Sequence, residues 1–409
     1  MSGPLRVLTL EGAQKILEKF WHIRQHVEDV SLEEAGGRIL AEKVVSKIDV
    51  PPFDRAVVDG YAVRAVDTFG ADEDAPRRLT CVATIRAGDK QRLKLSKGQC
   101  AEIATGAPIP VGANAVVMVE HAVQQEDIVE VSRAVSPEEN IAKRSSEIKK
   151  GTKVFLVGSE LSPSAIGTLA AVGIRKVKVY RRPRIAVISS GAELAKAGAK
   201  LSYGQVYDIN GPTLCEAVKA CGGEPSYFGI ALDEALQIKA LVRRGLASCD
   251  VVVISGGSSA GAGDIAPSVV DGLGRPGVIV HGLAMKPGKP TFIAVVKGKP
   301  VFGLPGYPVS ALMVFDQLVA PYIRRMAGTW PLAKLVMRAK LGRKILSARG
   351  RRELVPVKLA RKGRELLAEP LLKGSGAITA LSMADGYVEV PLEQEIVDEG
   401  EIVDVVILR

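Results

Sequence analysis

Asp250-Val251-Val252-Val253-Ile254-Ser255-Gly256-Gly257-Ser258-Ser259-Ala260-Gly261-Ala262-Gly263-Asp264 decides the fold. The β-branched run that opens it and stops at Gly256-Gly257 reads as a strand buried on both faces of a parallel sheet. Glycines and small hydroxyl residues follow, the loop ends on a carboxylate, and Ala266-Pro267 then starts a helix. Glycine accepts the dihedrals that aim successive N–H groups at an anion, so the loop fits a phosphate or oxyanion cradle. Read alone, it fits an ordinary strand-to-helix turn equally well. Two later loops, Met285-Lys286-Pro287-Gly288-Lys289-Pro290 and Gly303-Leu304-Pro305-Gly306-Tyr307-Pro308-Val309-Ser310, repeat the theme and favour the anion site.

Outward from this stretch, strands alternate with helices. Ile185–Ser189, Glu224–Ile230, Val251–Ile254 and Gly277–His281 read as strands, and Thr291–Val296 and Pro300–Phe302 flank Lys297-Gly298-Lys299 as a hairpin. Asn210-Gly211-Pro212 starts a helix carrying Leu214, Ala217, Val218 and Cys221. Asp233 opens a second with Ile238, Leu241, Val242 and Gly245, and a long third runs from Pro308 to about Met326. This rhythm predicts a central three-layer α/β/α domain over 181–328 with a mostly parallel sheet. Ligands of such sheets bind beyond the carboxyl ends of the strands, where the three loops lie. The charged stretch Tyr180–Arg184 marks its start.

Residues 1–180 form an N-terminal mixed region. Leu10, Ala13, Leu17, Phe20 and Trp21 predict an amphipathic helix, with His22 and His26 as a helix-surface pair near its end. Short strands at Leu79–Ile85, Cys100–Ala104, Ala115–Glu120 and Ile128–Val131 predict a β module inserted over about 50–145. Ser162-Pro163 then caps a helix whose stripe is Ile166, Leu169, Ala170 and Val172. Strict alternation through Leu335, Met337, Ala339 and Leu341, through Val355, Val357 and Leu359, and through Val403, Val405 and Ile407 predicts a small β-barrel-like domain over 329–409.

The 409 residues, 47% apolar and 24% charged, suit a globular chain of two to four domains. A net charge of +10 favours anionic partners, whereas 4% aromatic residues supply few stacking platforms for nucleic acid. The charge lies in short clusters such as Arg349-Gly350-Arg351-Arg352, which suits a small anionic ligand. Five cysteines without a CxxC pair point to a reducing, cytoplasmic setting. No apolar run approaches the ~18 residues of a membrane span.

The motifs can be taken together. Pro52-Phe53-Asp54 with Asp59-Gly60-Tyr61-Ala62, Thr105-Gly106-Ala107-Pro108, Ser190-Gly191-Ala192-Glu193-Leu194, Asp208-Ile209-Asn210, the Ser255–Asp264 loop and the two loops after it occur in one order. In that order they resemble the molybdopterin molybdenumtransferase family, called MoeA in bacteria and similar to the E domain of gephyrin. The resemblance runs from about Leu10 to the C-terminus and implies a molybdopterin-binding fold, a homodimer and a cleft shared across it. It also implies the reaction: adenylylated molybdopterin and molybdate give molybdenum cofactor and AMP, with Mg²⁺ required and an adenylyltransferase supplying the substrate.

On this resemblance Asp59, Thr105, Glu193, Asp233, Lys286 and Lys289 are catalytic, and Arg351 and Ser375 reach into the neighbouring subunit's cleft. Ser255, Gly256, Gly257, Ser258, Ser259, Asp264, Pro305 and Pro308 contact the pterin nucleotide. The glycine-rich amides and both lysines answer a diphosphate's need for N–H donors and positive charge. Asp59, Glu193, Asp233 and Asp264 suit a hard cation, since Mg²⁺ takes one or two carboxylates together with substrate phosphates. Structural readings remain open: Asp59 as a turn former, Asp264 as a helix cap, Arg351 as surface charge. The chain departs from the family at Ala192, where an aspartate is usual, at Ser145-Ser146-Glu147 and at Tyr307. A tungstate-inserting relative and a pterin-binding scaffold dimer with weak catalysis are the rival readings, while the chain has neither a Walker A motif nor a dinucleotide fingerprint.

Overall fold

A computed structural model describes residues 7–90, 93–232, 234–257, 265–329, 334–371 and 378–408. The chain forms two compact units, Asp29–Lys178 and, together, Met1–Glu28 with Val179–Arg409.

The opening helix α1 (Leu10–Phe20) belongs with the second of these. The Thr9 hydroxyl caps it, accepting from the Gly12 N–H at 3.1 Å. Leu10, Ala13, Leu17 and Trp21 are buried as their spacing predicts, but Phe20 is 50% exposed. The helix stops there, and Trp21 turns into extended backbone (φ −141°) to take the buried place instead. His22 and His26 therefore lie beyond the helix and do not form a helix-surface pair.

In Asp29–Lys178, β1 (Gly60–Val63), β2 (Arg77–Ile85), β3 (Gln99–Ile103), β4 (Ala115–Met118), β5 (Ala122–Gln125) and β6 (Ile128–Val131) make one sheet in the order β4-β1-β3-β2-β6-β5. Alternate residues fill opposite cores: Tyr61, Val63 and Val117 one, Ala62, Ile103 and Val116 the other. Cys100 sits in the first, where burial pushes its thiol up to about 12. Helix α2 (Pro163–Ala171) is capped as expected, Ser162 Oγ accepting from the Ala165 N–H at 3.2 Å. Ala165, Leu169 and Val172 at its C-cap are buried; Ile166 is only partly covered and Ala170 is exposed, so the stripe differs in part from the one its sequence suggests.

In the larger unit, β7 (Arg184–Ser190), α3 (Asn210–Ala220), β8 (Glu224–Ala231), α4 (Ala235–Ser248), β9 (Val251–Ser255), α5 (Ile265–Asp271), β10 (Pro276–His281), β11 (Phe292–Val296) and β12 (Lys299–Leu304) build the central layer and its cover. The sheet order is β8-β7-β9-β12-β11-β10. The first four strands are parallel, and β11 and β10 follow antiparallel. β11 and β12 join through Lys297 and Gly298, both at positive φ, a two-residue turn whose twist suits a hairpin. Val187, Val253 and Phe302 face a core shared with α1 and α3, whereas Ala186, Val252 and Val301 face α4 and α5. That alternation makes the three layers.

The helix from Pro308 is α6 (Pro308–Val314), a π-helical turn (Phe315–Val319) and α7 (Ala320–Met326). Pro321 lacks the N–H that would continue the α ladder, so the wider turn falls just before it. β13 (Val336–Leu341), β14 (Arg352–Lys362), β15 (Glu365–Pro370), β16 (Gly386–Val390) and β17 (Ile402–Ile407) then close into a five-stranded barrel, β16 returning to β14. Ala339, Leu341, Val355, Val357, Val388 and Val405 fill it. Leu335 and Met337 stay 48% and 40% exposed, so the inward stripe begins only at Ala339. Among the described residues no helix is long and apolar enough to cross a membrane.

Candidate functional site

Strands β7, β9 and β12 end together, with Ser189 opposite Ser255 and Ser255 opposite Leu304. Gly256 turns the chain at φ +93°, and a Cβ there would lie 2.0 Å from the Ser190 carbonyl oxygen. Only glycine fits. Its N–H donates to the Leu304 carbonyl at 3.1 Å, so Gly256 shapes the turn and ties it to the neighbouring strand.

Asn210, the first residue of α3, ties two loops together. Its Nδ2 donates to Ser255 Oγ and to the Gly306 carbonyl, both at 2.7 Å, and Ser255 Oγ donates to the Pro305 carbonyl at 3.2 Å. Beside it Asp208, 6% exposed, accepts from Ser189 Oγ at 2.9 Å, from the Gly211 N–H at 3.1 Å and from the Tyr227 hydroxyl. Burial, then the bond to Asp208, raises the Tyr227 pKa, so the phenol stays a neutral donor. Asp208 and Asn210 belong to one of the ordered motifs, which gives them no role, and Tyr227 belongs to none; the signal for the first two is a polar pair directly before Gly211-Pro212, at a helix start. Glu193 is exposed, and its carboxylate folds back over Gly191, with oxygens 2.7 and 2.8 Å from where a Cβ would stand.

Pro305 also lines a cavity of about 540 Å³, together with Lys286, Lys289, Tyr307, Arg351 and Glu353. Met285–Lys286 pairs in parallel with Arg352–Glu353, the first residues of β14 and the residue pair opposite, so Lys286 Nζ meets Glu353 Oε1 at 2.8 Å. The structure thus brings Lys286, Lys289, Pro305 and Arg351 to one place, and Arg351 lines a cavity of its own chain. Pro308 instead begins α6, where its missing N–H is no loss. Three cations against one carboxylate make this wall attractive to an anion.

Asp59 and Thr105 meet in the other unit: the Thr105 N–H donates to Asp59 Oδ1 at 2.7 Å, and both residues are exposed. Gly60 makes this possible, because a Cβ there would stand 1.9 Å from the Val117 carbonyl oxygen. Gly60→Ala is expected to cost about 3 kcal/mol in a urea melt, since backbone on both sides of the clash must move. A loss under about 0.5 kcal/mol would mean that the turn relaxes freely. Asp233, Ser258, Ser259, Asp264 and Ser375 lie outside the described residues. Of the four carboxylates read as cation ligands, Asp59 and Glu193 sit in different compact units, and among the described residues no group of three or more His, Cys, Asp or Glu side chains could hold a metal.

Comparison with known proteins bears on the whole chain. Residues 8–173 match the MoeA N-terminal region (domain I and II), residues 186–325 the probable molybdopterin binding domain, and residues 338–408 the MoeA C-terminal region (domain IV). A molybdopterin molybdenumtransferase of Staphylococcus epidermidis is 30% identical, covering 94% of this chain and 93% of that one. One from Nostoc is 36% identical over 75% of this chain and 70% of its own length. Among solved structures, a molybdopterin biosynthesis MoeA protein from a Pyrococcus species superposes with a TM-score of 0.83 at 44% identity, over 98% of this chain and 99% of that one.

Proposed function

Because the chain belongs to the MoeA family of molybdopterin molybdenumtransferases, we propose that it inserts molybdate into adenylylated molybdopterin and releases AMP. The observation that carries this reading is the cavity that joins Lys286, Lys289 and Arg351 to Pro305, whose carbonyl is bonded to the Ser255 turn. The oxyanion and the phosphates both require cationic contacts, and an arginine fork can hold two oxygens at once. Glu353 fixes where Lys286 points. Asn210 and Asp208 hold the strand-end turn rigid, so that it meets the ligand without reorganising. Catalysis is then positioning and charge compensation, with no protein nucleophile.

Glu193 offers an exposed oxygen donor at the strand ends, which fits Mg²⁺ shared with substrate phosphates. Once bound, the ion would neutralise charge on the phosphoanhydride. Glu193→Gln is therefore expected to raise the Mg²⁺ concentration giving half-maximal rate about tenfold, about 1.4 kcal/mol of binding; an unchanged Mg²⁺ dependence would remove Glu193 from the ion. The family also supports a homodimer in the cytoplasm, fed by an adenylyltransferase; sedimentation showing a monomer at micromolar concentration would count against the dimer.

The decisive test gives the purified protein adenylylated molybdopterin, Mg²⁺ and molybdate and follows AMP. Release that requires molybdate supports the transferase; release indifferent to molybdate, or none, sinks it. Substituting tungstate in the same assay separates the two oxyanions.

A further inference from the structure

A second cavity, of about 370 Å³, opens at the opposite edge of the central sheet from the strand-end turns. The segment after α1, Asp250 at the entry to β9, the turn before β12 and Met326 at the end of α7 frame it. β9 and β12 run five and six residues away from it, which at about 3.3 Å per residue puts it roughly 15–20 Å from Ser255 and Leu304. It is a separate place.

Its charge is one-sided. The cations Arg24, Lys297 and Lys299 line it, with His22 and His26 beside them, against Asp250 alone. Asp250 is already matched: it accepts from Arg181 Nη2 at 3.0 and 2.9 Å and from the Arg184 N–H at 2.7 Å. Lys299 Nζ is also engaged, donating to the Leu246 and Cys249 carbonyls at 2.7 Å, the C-terminal end of α4. Arg24 and Lys297 have no acidic partner among the described residues. Lys297 is held in the hairpin turn at φ 51°, which fixes where its side chain starts. Aromatic surface is present too. Trp21 packs on Tyr322 with ring centroids 5.5 Å apart, and Phe20 stands at the rim, half exposed where helical spacing would have buried it.

We propose that this pocket binds a small organic phosphate carrying an aromatic ring. Arg24 and Lys297 hold the phosphate, while the half-exposed Phe20 takes the ring beside the nearly buried Trp21. The cavity volume lies in the range of small-ligand sites. The inference stands apart from the transferase reading.

Trp330→Phe protein keeps Trp21 as its single tryptophan, since the chain has two. Titrated with AMP, it should show a saturable change in tryptophan emission that inorganic phosphate competes away. Arg24→Glu and Lys297→Glu, each checked by circular dichroism for an intact fold, should raise the midpoint about tenfold or more. Phe20→Ala should weaken AMP and leave phosphate unchanged. A midpoint indifferent to both charge reversals, or no emission change up to ~10 mM AMP, overturns the proposal.

Discussion

Asp208→Ala is expected to lower unfolding free energy by about 3–5 kcal/mol and to remove turnover with it. Three donors converge on this carboxylate: the Ser189 hydroxyl, the Tyr227 phenol and the Gly211 N–H. Ser189 and Gly211 are buried and Asp208 itself is 6% exposed, whereas the Tyr227 ring is 39% exposed. Each buried donor left without an acceptor costs about 1–3 kcal/mol, the Gly211 N–H at the start of α3 among them, partly offset as water enters the vacated space. Tyr227→Phe removes only one donor and should cost about 1 kcal/mol. In the double variant the phenol no longer needs a partner, so the two costs should fall short of their sum. Urea melts of the four proteins measure this coupling. Strict additivity would mean that Asp208 and Tyr227 do not share one network.

Lys286→Ala is expected to reduce the rate of AMP formation about 100- to 1000-fold, the range seen when one preorganised charge contact to a reacting group is lost. It should also hurt more than Lys289→Ala. Lys286 neutralises Glu353, whose side chain is 12% exposed and whose Oε2 has no hydrogen-bond partner. Removing the lysine leaves a nearly buried carboxylate facing the space meant for an anion, adding repulsion to the lost attraction. Lys289 has no such counterion among the described residues, so its loss is attraction alone. Glu353→Gln placed on the Lys286→Ala background should restore part of the lost substrate affinity. Equal effects of the two lysine variants, with no rescue, would show that Glu353 does not bear on the ligand.

Local chemistry made most of the fold legible. The run Val251–Ile254 stopping at glycine, the Ser162-Pro163 start and the alternation beyond Ala339 each need only near neighbours in sequence. What escaped depends on register between distant strands. Ser189 and Asp208 meet through the ends of β7 and the approach to α3, and Thr105 finds Asp59 46 residues away. A pattern of apolar residues says which face is buried but not which polar side chains end opposite one another. Gly256 shows the same limit within a motif: its conformation could be read from its type, while the capture of its N–H by Leu304 required the neighbouring strand. Phe20 fits the helical stripe by spacing, yet the helix ends with it, and one residue of unwinding is enough to exchange its place with Trp21.

The company kept by α1 bears on how the protein is made. Leu10, Ala13 and Leu17 complete a core with Val187, Val253 and Ile293, and the whole of Asp29–Lys178 is synthesised between them. During translation α1 therefore emerges first with its apolar stripe uncovered, while the β module behind it already has every strand it needs. An amphipathic segment of eleven residues is only marginally helical without a surface to lie on. Helix α1, made before the rest of its core, is thus among the last to settle, and in the interval its exposed stripe is a natural handle for a ribosome-bound chaperone.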